Sequence, residues 1–363
     1  MKVLNPILSP LFKFIICLLL STFAADMLQN QVILAIESSC DETSASVIIN
    51  GEVKSNIVST QVIHEKYGGV VPELASRAHQ QHILPVVETA LKQAKVTKND
   101  VAAVAFTRGP GLLGSLLVGT SFAKSFALAL NIPLIEVNHM QAHILAHFID
   151  EPKPQFPFIC LTVSGGHTQL VLVKSPLKME IIGETKDDAV GEAFDKAAKM
   201  LGLPYPGGPM IDKYASEGNP EAFEFPISEM PGFSYSFSGI KTALLYFLQK
   251  RVNEDPDFID NNMADICASF QQTLITMLLQ KLRKATRQYK VKQIAIAGGV
   301  AVNSGLRNEI QKLAEKEDLE VFIPQFQYCT DNAAMIAMAA HFKYLENEFT
   351  DQKVSAMPRY ALH

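Results

Sequence analysis

No C-x-x-C pair occurs in this 363-residue chain. Its five cysteines, at 17, 40, 160, 267 and 329, are odd in number and widely scattered. That excludes a zinc ribbon, a thioredoxin motif and a disulfide framework, and fits a reducing compartment. Excess positive charge is missing too: the net charge is −5, so a globally basic nucleic-acid coat is excluded, though a local patch is not. No G-K-[ST] follows a glycine loop and no G-x-S-x-G occurs, which removes Walker-type ATPases and disfavours α/β-hydrolases. There is no low-complexity tract and no short-period repeat. Long apolar runs are also lacking. The longest near the N-terminus, Phe14–Leu20, is too short to span a bilayer.

What is present is a globular composition, 48% apolar and 19% charged, long enough for about two domains or lobes. Residues 1–26 imitate a secretory signal, with Lys2, an apolar stretch and Ala24-Ala25. Pro6, Pro10 and Lys13 weaken it, and Met27 stands just before the first strand. We therefore expect Met27 as the working start and a cytoplasmic protein.

Strands are expected at 32–39, 44–50 and 52–60, with Asn50-Gly51 as a hairpin turn. Helix 72–95, strand 101–107, glycine loop 108–114, helix 115–130, strand 132–137 and helix 139–149 follow. Pro152, Pro154 and Pro157 mark a lobe boundary. The second half opens alike, with strands 158–164, 168–174 and 178–183. Helices 189–201, 239–251 and 263–289 come next, then strand 293–297, helix 305–316, strand 319–323 and helix 331–346. Each half thus begins with a hairpin sheet and continues into β-α alternation, a hint of two related α/β lobes. The division expected is an extension at 1–26, a first lobe at 27–148 with 325–346 packing back on it, a second lobe at 149–324, and a tail at 347–363.

Four constellations could carry chemistry. His139 and His143, spaced i, i+4, lie within roughly 40° on one helix face and can chelate one metal, or be a buried hydrogen-bonded pair. His147 extends the row. Met140 stands where H-E-x-x-H has its glutamate, so a hydrolytic zincin is disfavoured. Asp331, at a helix start, is a candidate third ligand or an ordinary N-cap or first-turn acid. Two histidines and one carboxylate suit Fe(II) better than structural zinc. The second constellation, Gly109-Pro-Gly111-Leu-Leu-Gly114 with Glu136 beyond it, matches a dinucleotide fingerprint and makes an NAD-dependent oxidoreductase a competing reading. A metal-dependent peptidase is a further alternative. The third is a pair of glycine turns, Ser164-Gly-Gly-His-Thr168 and Ala297-Gly-Gly-Val-Ala-Val-Asn303, whose amides can hold phosphate oxygens or simply turn the chain. The fourth is Lys281, Arg283, Lys284, Arg287, Lys290 and Lys292, either a phosphate-contacting patch or a solvated helix face.

In order along the chain stand YGGVVPELASRAH from Tyr67, RGPGLLGSLLVG from Arg108, NHMQAH from Asn138, LTVSGGHT, Gly207-Gly208, AGGVAVN and CTDN from Cys329. This set resembles the tRNA adenosine threonylcarbamoyltransferases, the bacterial branch of the Kae-one/TsaD/Qri family, formerly called O-sialoglycoprotein endopeptidases. The resemblance runs from about Met27 to about residue 346. It implies a two-lobed α/β fold of the actin-like ATPase (ASKHA) type, each lobe ribonuclease-H-like. It implies an acyltransferase that moves threonylcarbamoyl from its adenylate to N6 of the adenosine 3′ of the anticodon, in tRNAs reading codons that begin with adenine. By the family pattern His139, His143 and Asp331 bind one Fe(II) per subunit, with zinc a possible occupant as isolated. Thr162, Val163, Ser164, Gly165, Gly166, Asp195, Gly208, Asp212 and Asn303 hold the threonylcarbamoyl-AMP. Asp195 and Asp212 are our candidates for the ribose hydroxyls. The implied partners are tRNA, a small TsaE-like ATPase and an inactive TsaB-like paralogue, with no membrane. No general base is assigned.

Overall fold

The computed structural model describes residues 31–362. The segment 1–26 and the expected start at Met27 lie outside the described residues.

Among the described residues ten strands form two five-stranded sheets. The first contains β1 (Val32–Glu37), β2 (Glu42–Ile49), β3 (Glu52–Thr60), β4 (Ala103–Gly109) and β5 (Leu134–Asn138), in the order β3-β2-β1-β4-β5. The second contains β6 (Phe158–Val163), β7 (Thr168–Ser175), β8 (Lys178–Glu184), β9 (Gln293–Ala297) and β10 (Glu320–Phe322), in the order β10-β9-β6-β7-β8. Read from opposite edges these orders are the same, and so are the polarities. In each sheet the first three strands are antiparallel neighbours, and the fourth and fifth add in parallel. The expected duplication is therefore real. Asn50 and Gly51 turn the first hairpin at φ 52° and 83°, left-handed values that this dipeptide tolerates.

Strand periodicity divides the core. Val32, Leu34 and Ile36 of β1 pack with Ile83, Val86 and Val87 of α1 (Pro72–Gln93) and Ala123 and Ala127 of α2 (Leu113–Leu130). The alternate residues Ile33 and Ala35 face the opposite way, into a middle layer. That layer holds α3 (His139–Leu145) and the last helix. It also takes Phe158 and Cys160 of β6. Ile159, Leu161 and Val163 of β6 face a third cluster. There they meet α4 (Val190–Met200), α5 (Gly207–Ala215), α6 (Ser238–Glu254), α7 (Phe258–Tyr289) and α8 (Ser304–Glu317). After the one-turn α9 (Phe326–Cys329), α10 (Ala333–Leu345) closes the chain's helices. Its first eight residues, AAMIAMAA, are all buried, as expected of a helix packed on every side.

Three details depart from expectation. Residues 207–215 form α5, a helix not expected from its Gly-Gly-Pro start. The helix from 139 is α-helical only to Leu145 and continues as a 3-10 turn through Phe148. The long helix starts at Phe258, with a kink at Asn262 that hid its first turn from the periodic pattern. Among the described residues one helix, Leu113–Leu130, is long and apolar enough to cross a membrane, and here it packs against α1 and β4.

Candidate metal centre

The Oδ1 of Asn138 accepts hydrogen bonds from the amides of Met140 (2.9 Å) and Gln141 (3.2 Å), so α3 begins at His139, directly where β5 ends. The helical spacing then stacks His143 over His139. Their ring centroids lie 4.7 Å apart at 86°. Asp331 arrives from the far end of the chain, just before α10. It is not the N-cap of that helix, since Asn332 takes that role by accepting from Met335 N. The Asp331 carboxylate is thus free to face the histidines. Its Oδ1 lies 3.3 Å from His139 Nε2 and 3.2 Å from His143 Nε2. Ligand atoms of the three residues all fall within 4.8 Å of one another. The structure therefore brings together the three candidate ligands. His147 is excluded from the group. Its Nε2 donates to the carbonyl of Ile296 on β9 (3.0 Å), tying α3's extension to the second sheet.

The surroundings favour a cation. His139 Nδ1 lies 3.1 Å from Glu37, whose fully buried carboxylate also accepts from Thr107 Oγ1 (2.6 Å) and Ser39 N. Burial alone would lower the His139 imidazole, but the charges of Asp331 and Glu37 hold it well above the usual histidine range. Burial pulls His143 down. Asp331, although half-buried, is held well below the usual carboxylate range by His139 and His143. Glu42 is pushed up to about 10 by burial, with Asp331 and Asp41 adding to it. Acids thus crowd a site where the protonated imidazole of His139 is the nearest counter-charge. Two imidazoles and a carboxylate in that field fit a divalent metal ion. His167, from the β6–β7 turn, faces the same place. Burial and the two metal-site histidines hold it down to about 4.

The loop carrying Cys40, Asp41 and Glu42 is pinned from two helices. His79 of α1 reaches Thr43 Oγ1 (2.7 Å) and the Cys40 carbonyl (2.9 Å), and Ser115 of α2 also donates to that carbonyl (3.1 Å). Glu37, Asp41, Glu42 and His167 were missed in the sequence. Glu37 is the one charge ending the apolar run VILAIE, and that was the available signal.

The residues expected to hold the adenylate lie at the end of β6, in the turn after it, on α4 and α5, and at the start of α8. Val163 on β6 touches the Gly298 turn so closely that a Cβ there would lie 2.4 Å from its carbonyl oxygen. Thr162, beside it, is fully buried. Ser164 Oγ accepts from His167 N (3.1 Å) and shapes the β6–β7 turn, leaving Gly165 and Gly166 exposed with open space around them. Asp195 on α4 accepts from Gly207 N (2.8 Å) beside Gly208, at the start of α5. Asp212 on α5 accepts from Ser304 N and Ser304 Oγ, both at 2.9 Å. Asn303 caps α8 through Leu306 N (2.8 Å) and donates to Gln271 (2.7 Å). Asp195, Asp212 and Asn303 therefore each hold a helix start, whatever else they bind.

The dinucleotide reading is overturned. A Cβ on Gly109 would lie 1.8 Å from the Met357 carbonyl oxygen, and one on Gly111 2.5 Å from the Ser39 carbonyl oxygen. These glycines admit the protein's own chain, not a pyrophosphate. Glu136, the would-be ribose acid, is paired with Arg108 (2.7 Å) and Tyr360 Oη (3.2 Å). The peptidase alternative fares no better, because buried Met140 occupies its glutamate position. The cations of the basic helix are mostly paired within the chain at its surface, with Arg287 and Lys292 still exposed. Arg283 and Arg287 pair with Glu317, Lys292 pairs with Asp318, and Lys281 and Lys284 point to the carbonyl of Gly232.

Residues 52–338 match the family described as TsaD: tRNA N6-adenosine threonylcarbamoyltransferase. A protein of that name from Cytophaga hutchinsonii is 62% identical over 335 residues, covering 92% of this chain and 98% of its own. One from Christiangramia forsetii is 61% identical over 331 residues, covering 90% and 97%. Among solved structures, full-length HypF in its phosphate- and nucleotide-bound form aligns with TM-score 0.60 at 14% identity, covering 87% of this chain and 46% of that one. Component A of (R)-2-hydroxyglutaryl-CoA dehydratase from Acidaminococcus fermentans aligns with TM-score 0.50 at 14% identity, covering 87% and 99%. Those two likenesses show the shared actin-like two-lobed fold. The identity to the named relatives shows more: this chain belongs to the tRNA N6-adenosine threonylcarbamoyltransferase family.

Proposed function

We propose that this chain transfers threonylcarbamoyl from threonylcarbamoyl-AMP to N6 of the adenosine 3′-adjacent to the anticodon, releasing AMP. The observation that carries the reading is the convergence of His139, His143 and Asp331 within 4.8 Å. It occurs in a chain whose relatives bear that activity in their names. His139, His143 and Asp331 would hold one Fe(II), which supplies Lewis-acid and template chemistry toward the transferred group. Glu37 fixes the His139 tautomer by accepting the Nδ1 proton, which leaves Nε2 for the metal.

The adenylate binds across Thr162 to Gly166, Asp195, Gly208, Asp212 and Asn303. The exposed amides of Gly165 and Gly166 suit its phosphate. In the transfer, N6 bonds to the carbamoyl carbon, the carbon–oxygen bond to phosphate breaks, AMP leaves with the electron pair, and the proton lost from N6 passes to water or the leaving phosphate. The amine is a weak nucleophile, so placement of the two substrates carries much of the rate. The adenosine lies in a single-stranded loop, where its base edge is accessible. An acidic chain that mostly pairs the cations of its most basic helix supports a role for partners in tRNA capture, namely a TsaB-like paralogue and a TsaE-like ATPase. The substrate places the work in the cytoplasm.

The test is nucleoside analysis of tRNA from a strain depleted of this protein. Loss of threonylcarbamoyladenosine, restored by the wild-type gene but not by the His139→Ala/His143→Ala double variant, is expected. Retention of the modified nucleoside after depletion overturns the reading.

A further inference from the structure

Asn138 makes two sets of contacts. Its Oδ1 starts α3, as described above. Its Nδ2 donates to the main-chain carbonyls of Tyr360 (3.2 Å) and Ala361 (3.0 Å), more than two hundred residues downstream. Asn138 is 6% exposed, so these tail carbonyls satisfy an amide that solvent reaches little.

The tail that brings them runs across the edge of the first sheet. Thr350 N donates to the Leu134 carbonyl (2.8 Å), at the start of β5. Lys124 of α2 donates to the Val354 carbonyl (2.9 Å), and Arg108 Nε to that of Ser355 (3.1 Å). Met357 N donates back to the Arg108 carbonyl (2.8 Å), and Gly111 N to that of Pro358 (3.2 Å). The Arg108 guanidinium lies 5.0 Å over the Tyr360 ring, and the Tyr360 hydroxyl reaches Glu136 (3.2 Å). Of the glycines in the 109–114 loop, Gly109 leaves room for this tail, while Gly111 clears the Ser39 carbonyl. The path ends at Leu362, 9% exposed within the same apolar cluster as Ala142 and Ile144 of α3.

α3 has only 7 residues, under two turns. A helix so short has little cohesion of its own, so its orientation is set by its cap and its packing. Both here involve the tail. We infer that residues 350–362 form a strap that sets the position of α3, with Asn138 as the positioning residue through which it holds His139 against Asp331. This rests on the metal reading above.

The probe is Co(II) alone, bound to metal-free full-length protein and followed by its d–d absorption, whose shape reports ligand geometry. Two variants are used. One ends at Pro358, which removes the latching carbonyls but keeps the contacts at Met357 and Pro358. The other is Asn138→Ser, which keeps an N-cap oxygen but whose hydroxyl, one bond shorter than the Asn138 amide nitrogen, falls short of the strap carbonyls. Each should retain its far-ultraviolet circular dichroism, bind Co(II) about 10–100-fold more weakly, as for lost outer-sphere support, and shift the d–d bands. Folded variants with wild-type affinity and spectrum overturn the inference. If the truncation does not fold, Asn138→Ser decides alone. A wild-type protein that binds no Co(II), or binds it equally without His139 and His143, sinks the metal assignment and the strap's role with it. That failure is distinct because it shows in the parent protein.

Discussion

The buried carboxylate of Glu37 lies 3.1 Å from Nδ1 of His139, while Nε2 of the same ring faces Asp331 at 3.3 Å. One imidazole is thus held between two acids from opposite ends of the chain. Glu37 touches no other candidate ligand, so its effect on a bound metal is exerted through the ring.

Glu37→Gln should therefore weaken metal binding about 10–100-fold without emptying the site, because the ring loses its charged acceptor but keeps its place. Metal content after equilibration with a competing chelator checks this. Unchanged retention would show that Glu37 only supports β1 and Thr107.

Gly208→Val separates binding from folding. The backbone there is not left-handed, and the nearest atom to an added Cβ is Phe194 Cβ at 3.9 Å. The folded protein has room for the side chain, so the unfolding free energy should change by under about 1 kcal/mol, typical of surface and first-turn changes. Adenylate binding should be lost while metal is retained, since the new methyls fill the approach to the site. AMP titration by calorimetry decides it; wild-type affinity would move the site elsewhere.

Gly109→Ala should do the reverse. Its Cβ would lie 1.8 Å from the Met357 carbonyl oxygen, so either the tail lifts or the strand shifts. A loss of about 2 kcal/mol or more is expected from such overpacking. Urea denaturation measures it. In parallel, NAD should give the wild type no thermal shift while AMP does, as follows from a glycine loop filled by its own chain.

His147 carries a pH dependence. Burial holds its imidazole down to about 4, below the ordinary 6.5. The unfolded chain therefore binds a proton that the folded one refuses, so stability falls as pH drops from about 6.5 to about 4 and then levels off. The full span corresponds to about 3 kcal/mol. His147→Gln keeps a donor for the Ile296 carbonyl without the titration. Urea unfolding at pH 7 and pH 5 should show the wild type losing about 2 kcal/mol more than the variant. Parallel losses would mean that the imidazole is solvated on protonation.

Much of this architecture was already written in local pattern. The short apolar runs VILAIE and FICLTV, the Asn50-Gly51 turn and the helical periods place nearly every strand and helix, because each depends on neighbours a few residues away. The face shared by His139 and His143 follows from 3.6 residues per turn alone. Where the pattern was local but ambiguous, as at Gly207-Gly208, a short helix went unassigned. Residue chemistry alone left Asp331 as either a ligand or a cap, and only the packed chain shows Asn332 doing the capping.

Tertiary structure decided what the long-range contacts are. Nothing near Gly109 announces that Met357 will lie on it, or that Glu136 belongs to Arg108 and Tyr360 instead of a ribose. Nothing near Arg283 and Arg287 announces Glu317 at the end of α8, which pairs with both at the surface. Glu37 reads as the end of a strand until folding sets it beside a histidine 102 residues away. Periodicity reports which face of an element is apolar, but not which other face it will meet. That choice is made by the packing of whole layers, and the metal centre, the strap and the closed glycine loop are all products of it.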